Sequence, residues 1–441
     1  MKYLFLILIF LGFYVSVEAQ EPPVLTKQDR TSIIESVASQ LDQHYIFPDK
    51  AKEMGAYLKK RNKEKFYDQI VNYKAFAEVL TKDLQTVHKD LHMKLYYNPK
   101  FVQDLRNRNF MKGPAPEILQ QQEASARKDN FGFVKVERLP GNIGYLDFRQ
   151  FYPLSEEAKN TVAAAMGFLA NTDAVIVDLR NNRGGDPEMV QLVLSYFMDK
   201  TPVHYNSLYT RSDSATRDFY SLAEVEGKKM PATDLYVLTS KRTFSAAEEF
   251  TYNLQNLKRA TIVGETTGGG AHPTRPYVIN DYLVLNIPFE RAINPFTKTN
   301  WEGTGVTPDV AIEADKALLK ARELALLEMK ENAADVKDKA AAEWQLQPVR
   351  AALNPVQPLG SAISRYAGTY GEAIISYEGG NLFYKRTGRP KVKMIPVTED
   401  LFQLEGMDYF RLKFTKGPDG KVEKLISLYD SGETDESVRQ K

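Results

Sequence analysis

Two stretches of the sequence repeat one plan: an apolar strand, a short polar turn and a helix. The first is AVIVDLR (174–180), followed by the turn NNRGGD and the helical pattern PEMVQLVLSYFM. The second is DLYVLTS (234–240), followed by TFSAAEEFTYNLQNL. A continuous run of β-branched residues is typical of a strand buried on both faces, and strands that alternate with helices predict a parallel sheet covered by helices. We therefore expect an α/β core in the middle of the chain.

The segments on either side of this core have other patterns. Residues 28–92 carry apolar positions at spacings of three and four, which predicts helices. Residues 312–347 are charged and Ala-rich, and after them short alternating strands with Gly and Asp-Gly turns predict a small antiparallel sheet or barrel. We divide the chain into a signal peptide (1–19), an N-terminal helical domain (20–105), an α/β domain (106–312), a helical linker (313–350) and a C-terminal antiparallel β domain (351–441).

The first 20 residues, MKYLFLILIFLGFYVSVEAQ, have the composition of a secretory signal peptide. One Lys precedes an apolar run, and Val17 and Ala19 fit the small positions before a cleavage site. The run is shorter than the roughly 20 apolar residues that a transmembrane helix needs, so we expect cleavage after Ala19 and no integral membrane segment afterwards. We predict an exported protein, periplasmic or extracellular. Because the chain has no cysteine, burial rather than disulfides must stabilise it.

Composition and charge limit the classes of partner. Apolar residues make up 43% of the chain and charged residues 26%, which is ordinary for a soluble globular protein. The formal net charge is +1, so no overall field attracts nucleic acid or an acidic membrane, and we expect neither as a partner. Nothing in the sequence indicates an oligomeric state.

Ser245 lies at the start of the second predicted helix, where two roles fit. The stretch SAAE matches a capping box, in which the serine oxygen accepts a backbone hydrogen bond and Glu248 reaches back to the start of the helix. A serine at a strand-to-helix turn also projects its hydroxyl above the sheet edge, where parallel sheets bind ligands. In that second role, the backbone N–H of Ala246 and that of Gly184 or Gly185 would hold an oxyanion.

A serine nucleophile needs a base, and the chain has five histidines: His44, His88, His92, His204 and His272. His88 and His92 are four residues apart and would share a helix face, but Lys89 stands where a zinc-protease motif has its Glu. We therefore predict no metal site and no cofactor. His272 lies in the glycine-rich stretch GGGAHPTRP, where nothing in the sequence fixes its orientation. Spacing does not choose among these histidines, because triad members are adjacent in space rather than in sequence.

Four motifs, taken in order, resemble the S41 peptidases, which are the tail-specific or carboxyl-terminal processing proteases. They are VIVDLRNNRGG, LTSKRTFSAAEEF, ATIVGETTGGGAHP and WEGTGVTPDV. Within that family the chain is most similar to the branch without a PDZ domain, typified by the repeats of interphotoreceptor retinoid-binding protein and by related bacterial proteins. The similarity covers residues 30–312. It implies a ClpP/crotonase-like α/β core and a serine peptidase that hydrolyses peptides or unfolded protein segments.

The resemblance also implies a set of site residues. The family nucleophile falls on Ser245, and the general-base lysine of the tail-specific branch falls on Gly270, so a lysine base is absent and Gly270→Ala is expected to leave hydrolysis largely intact. The tricorn-like branch uses a histidine and a glutamate: the family's Asp-x-His pattern falls on Asp90 and His92, and the glutamate falls on Glu302. Leu91 replaces a serine that this branch has before its histidine. The implied catalytic set is Ser245, His92 and Glu302, with Gly184, Gly185 and Ala246 at the oxyanion.

Two further functions fit the same resemblance. Retinoid-binding relatives keep this fold to carry apolar molecules, so a non-catalytic apolar-ligand-binding protein is the alternative. A peptide or glycan adaptor that works through the C-terminal sheet is a third possibility. The presence of Ser245, His92 and Glu302 together favours the enzyme, because a carrier needs none of the three.

Overall fold

The structure is a computed structural model that describes residues 23–107, 116–355 and 360–440. The signal peptide predicted for residues 1–19 lies outside the described residues. The described residues divide into two compact units: unit 1 contains 23–89, 93–107 and 275–287, and unit 2 contains 90–92, 116–274, 288–355 and 360–440. None of the described helices is long and apolar enough to cross a membrane.

The helices and strands fall into three groups along the chain. The first comprises α1 (Lys27–His44), α2 (Pro48–Lys63), α3 (Tyr73–Val87), β1 (Lys94–Tyr97) and α4 (Pro99–Asn107). The second comprises α5 (Pro116–Lys128), β2 (Phe133–Leu139), β3 (Ile143–Phe148), α6 (Glu156–Leu169), β4 (Ala174–Asp178), α7 (Pro187–Ser195), β5 (His204–Thr210), β6 (Ala215–Tyr220), β7 (Asp234–Thr239), α8 (Ala246–Asn256), β8 (Thr261–Gly264), β9 (Thr274–Val278), β10 (Leu283–Pro288), β11 (Glu290–Ile293) and β12 (Val310–Ala311). The third comprises α9 (Ala317–Asn332), α10 (Val336–Leu353), β13 (Gly368–Tyr370), β14 (Ala373–Glu378), β15 (Asn381–Arg386), β16 (Val392–Pro396), β17 (Leu401–Leu404), β18 (Met407–Lys416), β19 (Val422–Tyr429) and β20 (Thr434–Val438).

Unit 1 contains the predicted N-terminal helices and a small sheet. Helix α1 begins with a capping box, since the Thr26 hydroxyl accepts from the Asp29 N–H at 3.1 Å and the Asp29 carboxylate accepts from the Thr26 N–H at 2.9 Å. Ile34, Val37 and Leu41 are buried on one side of α1, at the spacing of three and four that the sequence predicts. Strand β1 pairs antiparallel with β10. The prediction of helices in this region is confirmed.

The core of unit 2 is a six-stranded sheet in the order β12-β8-β7-β4-β3-β2, in which only β2 is antiparallel. All five residues of β4 are buried. Val175 and Val177 pack into the cluster that includes α6, α7 and α8, while Ala174 and Ile176 pack on the opposite face. This alternation explains why the strand reads as one apolar run, and it confirms the predicted α/β core.

The region predicted as a helical linker forms a layer of unit 2. Ala317, Ala321 and Ala325 recur every four residues on α9 and are completely buried. Together with Leu346 of α10 they pack against Ile176 and other residues on that face of the sheet. Small side chains let a helix approach a sheet closely, so the Ala-rich composition serves packing here. The boundaries at 105/106, 312/313 and 350/351 stay predictions.

The C-terminal strands β13–β20 form an antiparallel sheet in which each strand pairs with the next in sequence. A bridge between Tyr370 and Arg439, with a hydrogen bond of 2.8 Å from the Gln440 N–H to the Thr369 carbonyl, joins the last strand to the first. The sheet therefore closes into a barrel, which removes its free edges. Its interior is filled by apolar side chains, including those of Phe402 and Phe414. The predicted C-terminal β domain is confirmed.

Candidate active site

Ser245 stands at the turn between β7 and α8, at the carboxyl end of a central strand. Its backbone has φ 57° and ψ −123°, whereas a serine that only caps a helix normally has an extended backbone. A non-glycine residue in such a conformation costs on the order of 1–3 kcal/mol, and it persists where the surrounding structure holds it. A strained serine at a strand-to-helix turn is the geometry of a nucleophile elbow.

The turn after the neighbouring strand β4 packs directly against Ser245. A Cβ added to Gly184 would lie 2.6 Å from the Ser245 Cβ and 2.8 Å from the Ala246 nitrogen, and Gly184 has φ +98°. Only glycine fits this conformation and this approach. The two turns are also hydrogen-bonded, since the Phe244 N–H donates to the Asn182 carbonyl at 3.1 Å. Neighbouring strands thus bring the RGG and TFSAA motifs together.

The serine turn and the glycine turn each have a backbone N–H group that is available to a ligand. The Gly184 N–H donates to the Asn182 side chain at 2.8 Å, so it is already used. In the part of the chain that the structure describes, the N–H groups of Gly185 and Ala246 donate to no protein acceptor. Of the two glycines that the sequence left open, the structure therefore favours Gly185 as the partner of Ala246.

Glu248 ties the serine turn to the glycine-rich loop. Its carboxylate is completely buried and accepts hydrogen bonds from four groups: the N–H of Ser245 at 2.9 Å, the N–H of Gly269 at 2.7 Å, the N–H of Gly270 at 2.8 Å and the hydroxyl of Thr267. Burial raises the pKa of Glu248, while these hydrogen bonds act in the opposite direction. The reach of Glu248 back to Ser245, expected from the capping-box pattern, is present. Its hydrogen bonds to the glycine-rich loop do not follow from the capping-box pattern.

A second group of polar side chains, which we call the acid–base cluster, consists of Asp90, His92, His272 and Glu302. A nitrogen of His92 and one oxygen each of Asp90 and Glu302 lie within 4.8 Å of one another. His272 Nδ1 lies 2.8 Å from Asp90 Oδ2 and 3.4 Å from Glu302 Oε2. All four residues belong to unit 2, because the short segment 90–92 clusters with that unit.

The structure gives His272 an orientation that the sequence left open, and it corrects the helix face expected for His88 and His92. His272 is 2% exposed and paired with Asp90, so its orientation is fixed although it follows a glycine-rich stretch. The indole N–H of Trp301 further holds that stretch by donating to the Gly270 carbonyl at 2.8 Å. His88 and His92 do not share a helix face, because α3 ends at Val87 and His88 Nδ1 is 2.8 Å from the Tyr45 hydroxyl.

His92 packs beside the serine turn. Its ring lies 4.7 Å, centroid to centroid, from the ring of Phe244, the residue before Ser245. A Cβ added to Gly270 would lie 2.2 Å from the Phe244 ring and 2.8 Å from His92 Cε1. A side chain at position 270 would therefore need the space that His92 and Phe244 fill. This is the position that the resemblance assigns to a lysine in the tail-specific branch, and here any side chain would have to displace the two rings.

Burial shifts the pKa values of the acid–base cluster. It lowers the pKa of His92 to about 4, against the raising effect of the Asp90 carboxylate. It raises the pKa of Glu302 to about 7, with the negative charge of Asp90 adding to the effect. His272 and the N–H groups of Ala271 and Leu91 act in the opposite direction on Glu302. At neutral pH His92 is therefore uncharged, and Glu302 is close to its own titration.

The sequence pointed to Asp90 and His272 separately, but not to their meeting in this cluster. Both are almost fully buried, and they meet across 182 residues of chain. The Asp-x-His pattern at residues 90–92 placed Asp90 next to the candidate base, and His272 was considered as a base without a fixed orientation. The roles assigned to Ser245, His92 and Glu302 remain predictions at this point.

Comparison with known proteins agrees with this architecture. Residues 142–312 match the profile of peptidase family S41, and residues 23–130 match that of the N-terminal domain of S41 peptidases in eukaryotic IRBP. A structure of a candidate peptidase from Parabacteroides merdae superimposes with a TM-score of 0.50 and 17% identity, covering 69% of this chain and 99% of that one. At that identity the likeness supports the fold alone.

Two curated relatives are carboxyl-terminal processing enzymes. Carboxyl-terminal-processing peptidase 2 of Arabidopsis thaliana, a chloroplast protein, is 31% identical over 182 residues, which is 39% of this chain and 33% of that protein. The carboxyl-terminal-processing protease of Synechocystis sp. is 27% identical over 177 residues, 40% of this chain and 39% of that protein. The chain thus spans between a third and two fifths of these relatives. Over residues 23–130 and 142–312, this chain belongs to peptidase family S41.

Proposed function

We propose that the protein is a serine peptidase that hydrolyses peptide bonds in peptides or unfolded protein segments. The observation that carries the proposal is Ser245, which is held in a strained turn against Gly184 while His92 packs on the adjacent Phe244. Membership of family S41 supports the same reaction class. Extended substrates suit a site at strand ends, where a peptide backbone can pair with exposed backbone groups.

In the proposed mechanism Ser245 attacks the carbonyl carbon of the scissile bond while His92 accepts the hydroxyl proton. The N–H groups of Ala246 and Gly185 hold the oxyanion of the tetrahedral intermediate. The C–N bond then breaks, His92 returns the proton to the leaving amine, and an acyl-enzyme remains on Ser245. A water molecule, deprotonated by His92, releases the acid product and restores the serine.

The pKa values of the acid–base cluster suit these steps. A His92 pKa lowered to about 4 by burial keeps the ring neutral at pH 7, but it also weakens the ring as a base, so a carboxylate must stabilise the protonated form. Once protonated, the buried imidazolium needs a negative partner, which Glu302 supplies when it is ionised. Asp90, which is completely buried beside His92, adds to the same stabilisation. In this proposal His92 replaces the absent lysine base, and its ring occupies the space that a side chain at position 270 would enter.

We propose export to the periplasm or to the extracellular space. The signal-like composition of residues 1–20 supports this location. Mass spectrometry of the N-terminus of the protein recovered outside the cytoplasm tests it, and we expect the mature chain to begin at Gln20. Recovery of the full-length chain from the cytoplasm alone would contradict it.

The experiment that tests the function compares the wild type with Ser245→Ala in a mixed peptide library, with the products read by mass spectrometry. We expect internal cleavage by the wild type and none by the variant. Equal cleavage by both would remove Ser245 from the mechanism. Absence of cleavage by a folded wild type would contradict the proposal that the protein is a peptidase.

A pocket beside Gly185 favours apolar-ligand binding as a second candidate function. It has a volume of about 660 Å³, and its apolar lining includes Leu119, Phe131, Phe151 and Leu154. In the peptidase it would take a substrate side chain, whereas in a carrier it would hold the whole ligand. A carrier would bind a hydrophobic fluorescent probe at one per chain, and Ser245→Ala would bind it equally. The peptidase predicts instead that peptide substrates displace the probe.

A further inference from the structure

The acid–base cluster has the chemical composition of a transition-metal site. It offers one imidazole nitrogen, from His92, and one carboxylate oxygen each from Asp90 and Glu302, all within 4.8 Å of one another. Imidazole and carboxylate together are ligands that Zn²⁺ accepts, whereas Mg²⁺ and Ca²⁺ prefer oxygen alone. Three protein ligands with a fourth position open to water form a recurrent zinc arrangement.

Two of the buried atoms in this cluster have no protein partner. Among the described residues, neither His92 Nδ1 nor Glu302 Oε1 makes a hydrogen bond, and both atoms are inaccessible to solvent. The Glu302 side chain is only 9% exposed. Buried polar atoms are almost always satisfied in folded proteins, and an unsatisfied one is costly. A ligand that binds both atoms would remove that cost.

The other oxygen of each carboxylate is already held. Glu302 Oε2 accepts from the Ala271 N–H at 2.6 Å, and Asp90 Oδ2 lies 2.8 Å from His272 Nδ1. In metal sites such bonds orient the ligating carboxylates and are nearly as important as the ligands themselves. The two carboxylates are therefore held in place, while Glu302 Oε1 and His92 Nδ1 have no hydrogen-bond partner among the described residues and can bind an ion.

We propose that Asp90, His92 and Glu302 bind one Zn²⁺ ion, and that the bound ion reversibly inhibits the peptidase. The inhibition rests on the proposed function, whereas the binding site does not. Zinc–ligand distances of about 2.0–2.2 Å place tetrahedral ligand atoms about 3.3–3.6 Å apart, so the three side chains close around the ion by small rotations. Ser245 is not a ligand.

Binding at this position would stop the proposed proton transfer. An ion on Nδ1 of His92 places positive charge against the ring, which weakens the remaining nitrogen as a base. The same ion also engages Glu302, the carboxylate that would otherwise stabilise the imidazolium. A bound zinc ion therefore prevents His92 from accepting the Ser245 proton and prevents Glu302 from stabilising the protonated ring.

Titration calorimetry with ZnCl₂ on metal-free Ser245→Ala protein tests the site without interference from hydrolysis. We expect one ion per chain with a Kd at or below about 1 µM, and no comparable binding of MgCl₂. His92→Ala and Glu302→Gln, each combined with Ser245→Ala, should weaken binding at least about tenfold. The matched control His204→Ala removes a partly buried histidine that lies 3.5 Å from Asp218, and it should change nothing.

A Kd weaker than about 100 µM, or unchanged affinity after His92→Ala, would overturn the site. Circular dichroism tests whether the variants fold. Should His92→Ala fail to fold, the thermal midpoint decides instead: zinc should raise it in Ser245→Ala and leave it unchanged when Glu302→Gln is added. An equal rise in both proteins would also overturn the site.

Peptide hydrolysis by the wild type separates the two proposals. With zinc at about ten times its Kd we expect cleavage to fall about tenfold and EDTA to restore it. Cleavage that persists while zinc is bound overturns the inhibition and leaves the peptidase standing. No cleavage under either condition, with zinc still bound by Ser245→Ala, overturns the peptidase and the inhibition but supports the metal site.

Discussion

The serine turn and the acid–base cluster of unit 2 differ in how completely their polar groups are satisfied. At the serine turn, Glu248 alone accepts four hydrogen bonds, and the Phe244 N–H donates to Asn182. In the acid–base cluster, His92 Nδ1 and Glu302 Oε1 are buried without a partner in the described residues. Apart from the Gly185 and Ala246 N–H groups, which donate to no acceptor in the described residues, the serine turn is satisfied by the protein itself, whereas the acid–base cluster leaves side-chain atoms without a partner.

This difference fits the separate roles of the two regions in the proposed reaction, since one holds the nucleophile and the other the base. A nucleophile and an oxyanion hole must be held rigidly before substrate arrives, because reorganisation during the reaction is costly. A base must gain and lose a proton, so its partners must tolerate both charge states. The satisfied turn suits the first task, and the unsatisfied cluster suits the second. The following variants separate the two regions.

Loss of the base should have the largest effect. His92→Ala removes the proposed proton acceptor, and we expect kcat/KM for peptide cleavage to fall about 1,000-fold with the fold intact. His204→Ala is the matched control and should retain full activity. Wild-type activity in His92→Ala would move the base to His272, which lies 2.8 Å from Asp90.

Crowding the serine turn should cause the second-largest loss of activity. The Cβ of Gly184→Ala would stand 2.6 Å from the Ser245 Cβ, so the nucleophile must shift, and we expect kcat/KM to fall several hundred-fold. Gly227→Ala is the matched control, because Gly227 has φ +90° but nothing within 4 Å of the added carbon. Equal losses in both variants would mean that backbone strain alone, rather than displacement of Ser245, is responsible.

Glu302→Gln should reduce kcat/KM by less than the two previous variants, and it should change how kcat/KM depends on pH. Asp90 remains beside His92, so we expect about a 100-fold loss of kcat/KM. In the wild type, kcat/KM should rise with pH through about 7, because burial raises the pKa of Glu302 to that value and only the ionised form stabilises the imidazolium. His92, with its pKa lowered to about 4, does not limit that range. In the variant the rise near pH 7 should disappear, and its persistence would assign the titration to another group.

Gly270→Ala should have the smallest effect, yet one larger than the resemblance alone implied. The added Cβ meets the far ends of two rings, Phe244 at 2.2 Å and His92 at 2.8 Å, which can rotate away. We expect up to about a tenfold loss of kcat/KM from the displaced His92 ring. Unchanged activity would mean that the position of the His92 ring is not critical, which would weaken its assignment as base.

Local patterns in the sequence predicted the serine turn well. Strand β4 and the turn before α8 follow from an apolar run and from the SAAE stretch, and each of these signals lies within about ten residues of the feature it predicts. The N-terminal helices follow from spacing in the same way. The elements of unit 2 that position Ser245 and Gly184 were therefore accessible without a structure.

The acid–base cluster and the packing of α9 were less accessible for one physical reason. His272 and Asp90 meet across 182 residues, and no local periodicity records such a contact. Likewise, the buried alanines of α9 resemble a solvated helix in composition, because only the sheet that they face makes them core residues. His92 and Glu302 were named only because the family resemblance aligned them.

Covalent labelling tests directly whether Ser245 is a nucleophile, and it needs no known substrate. A fluorophosphonate probe would be incubated with the wild type, Ser245→Ala, His92→Ala and His204→Ala, and intact mass would be followed over time. We expect one adduct on Ser245 in the wild type and in His204→Ala, none in Ser245→Ala, and labelling slowed at least about 100-fold in His92→Ala. No adduct on the folded wild type, or undiminished labelling of His92→Ala, would contradict this expectation.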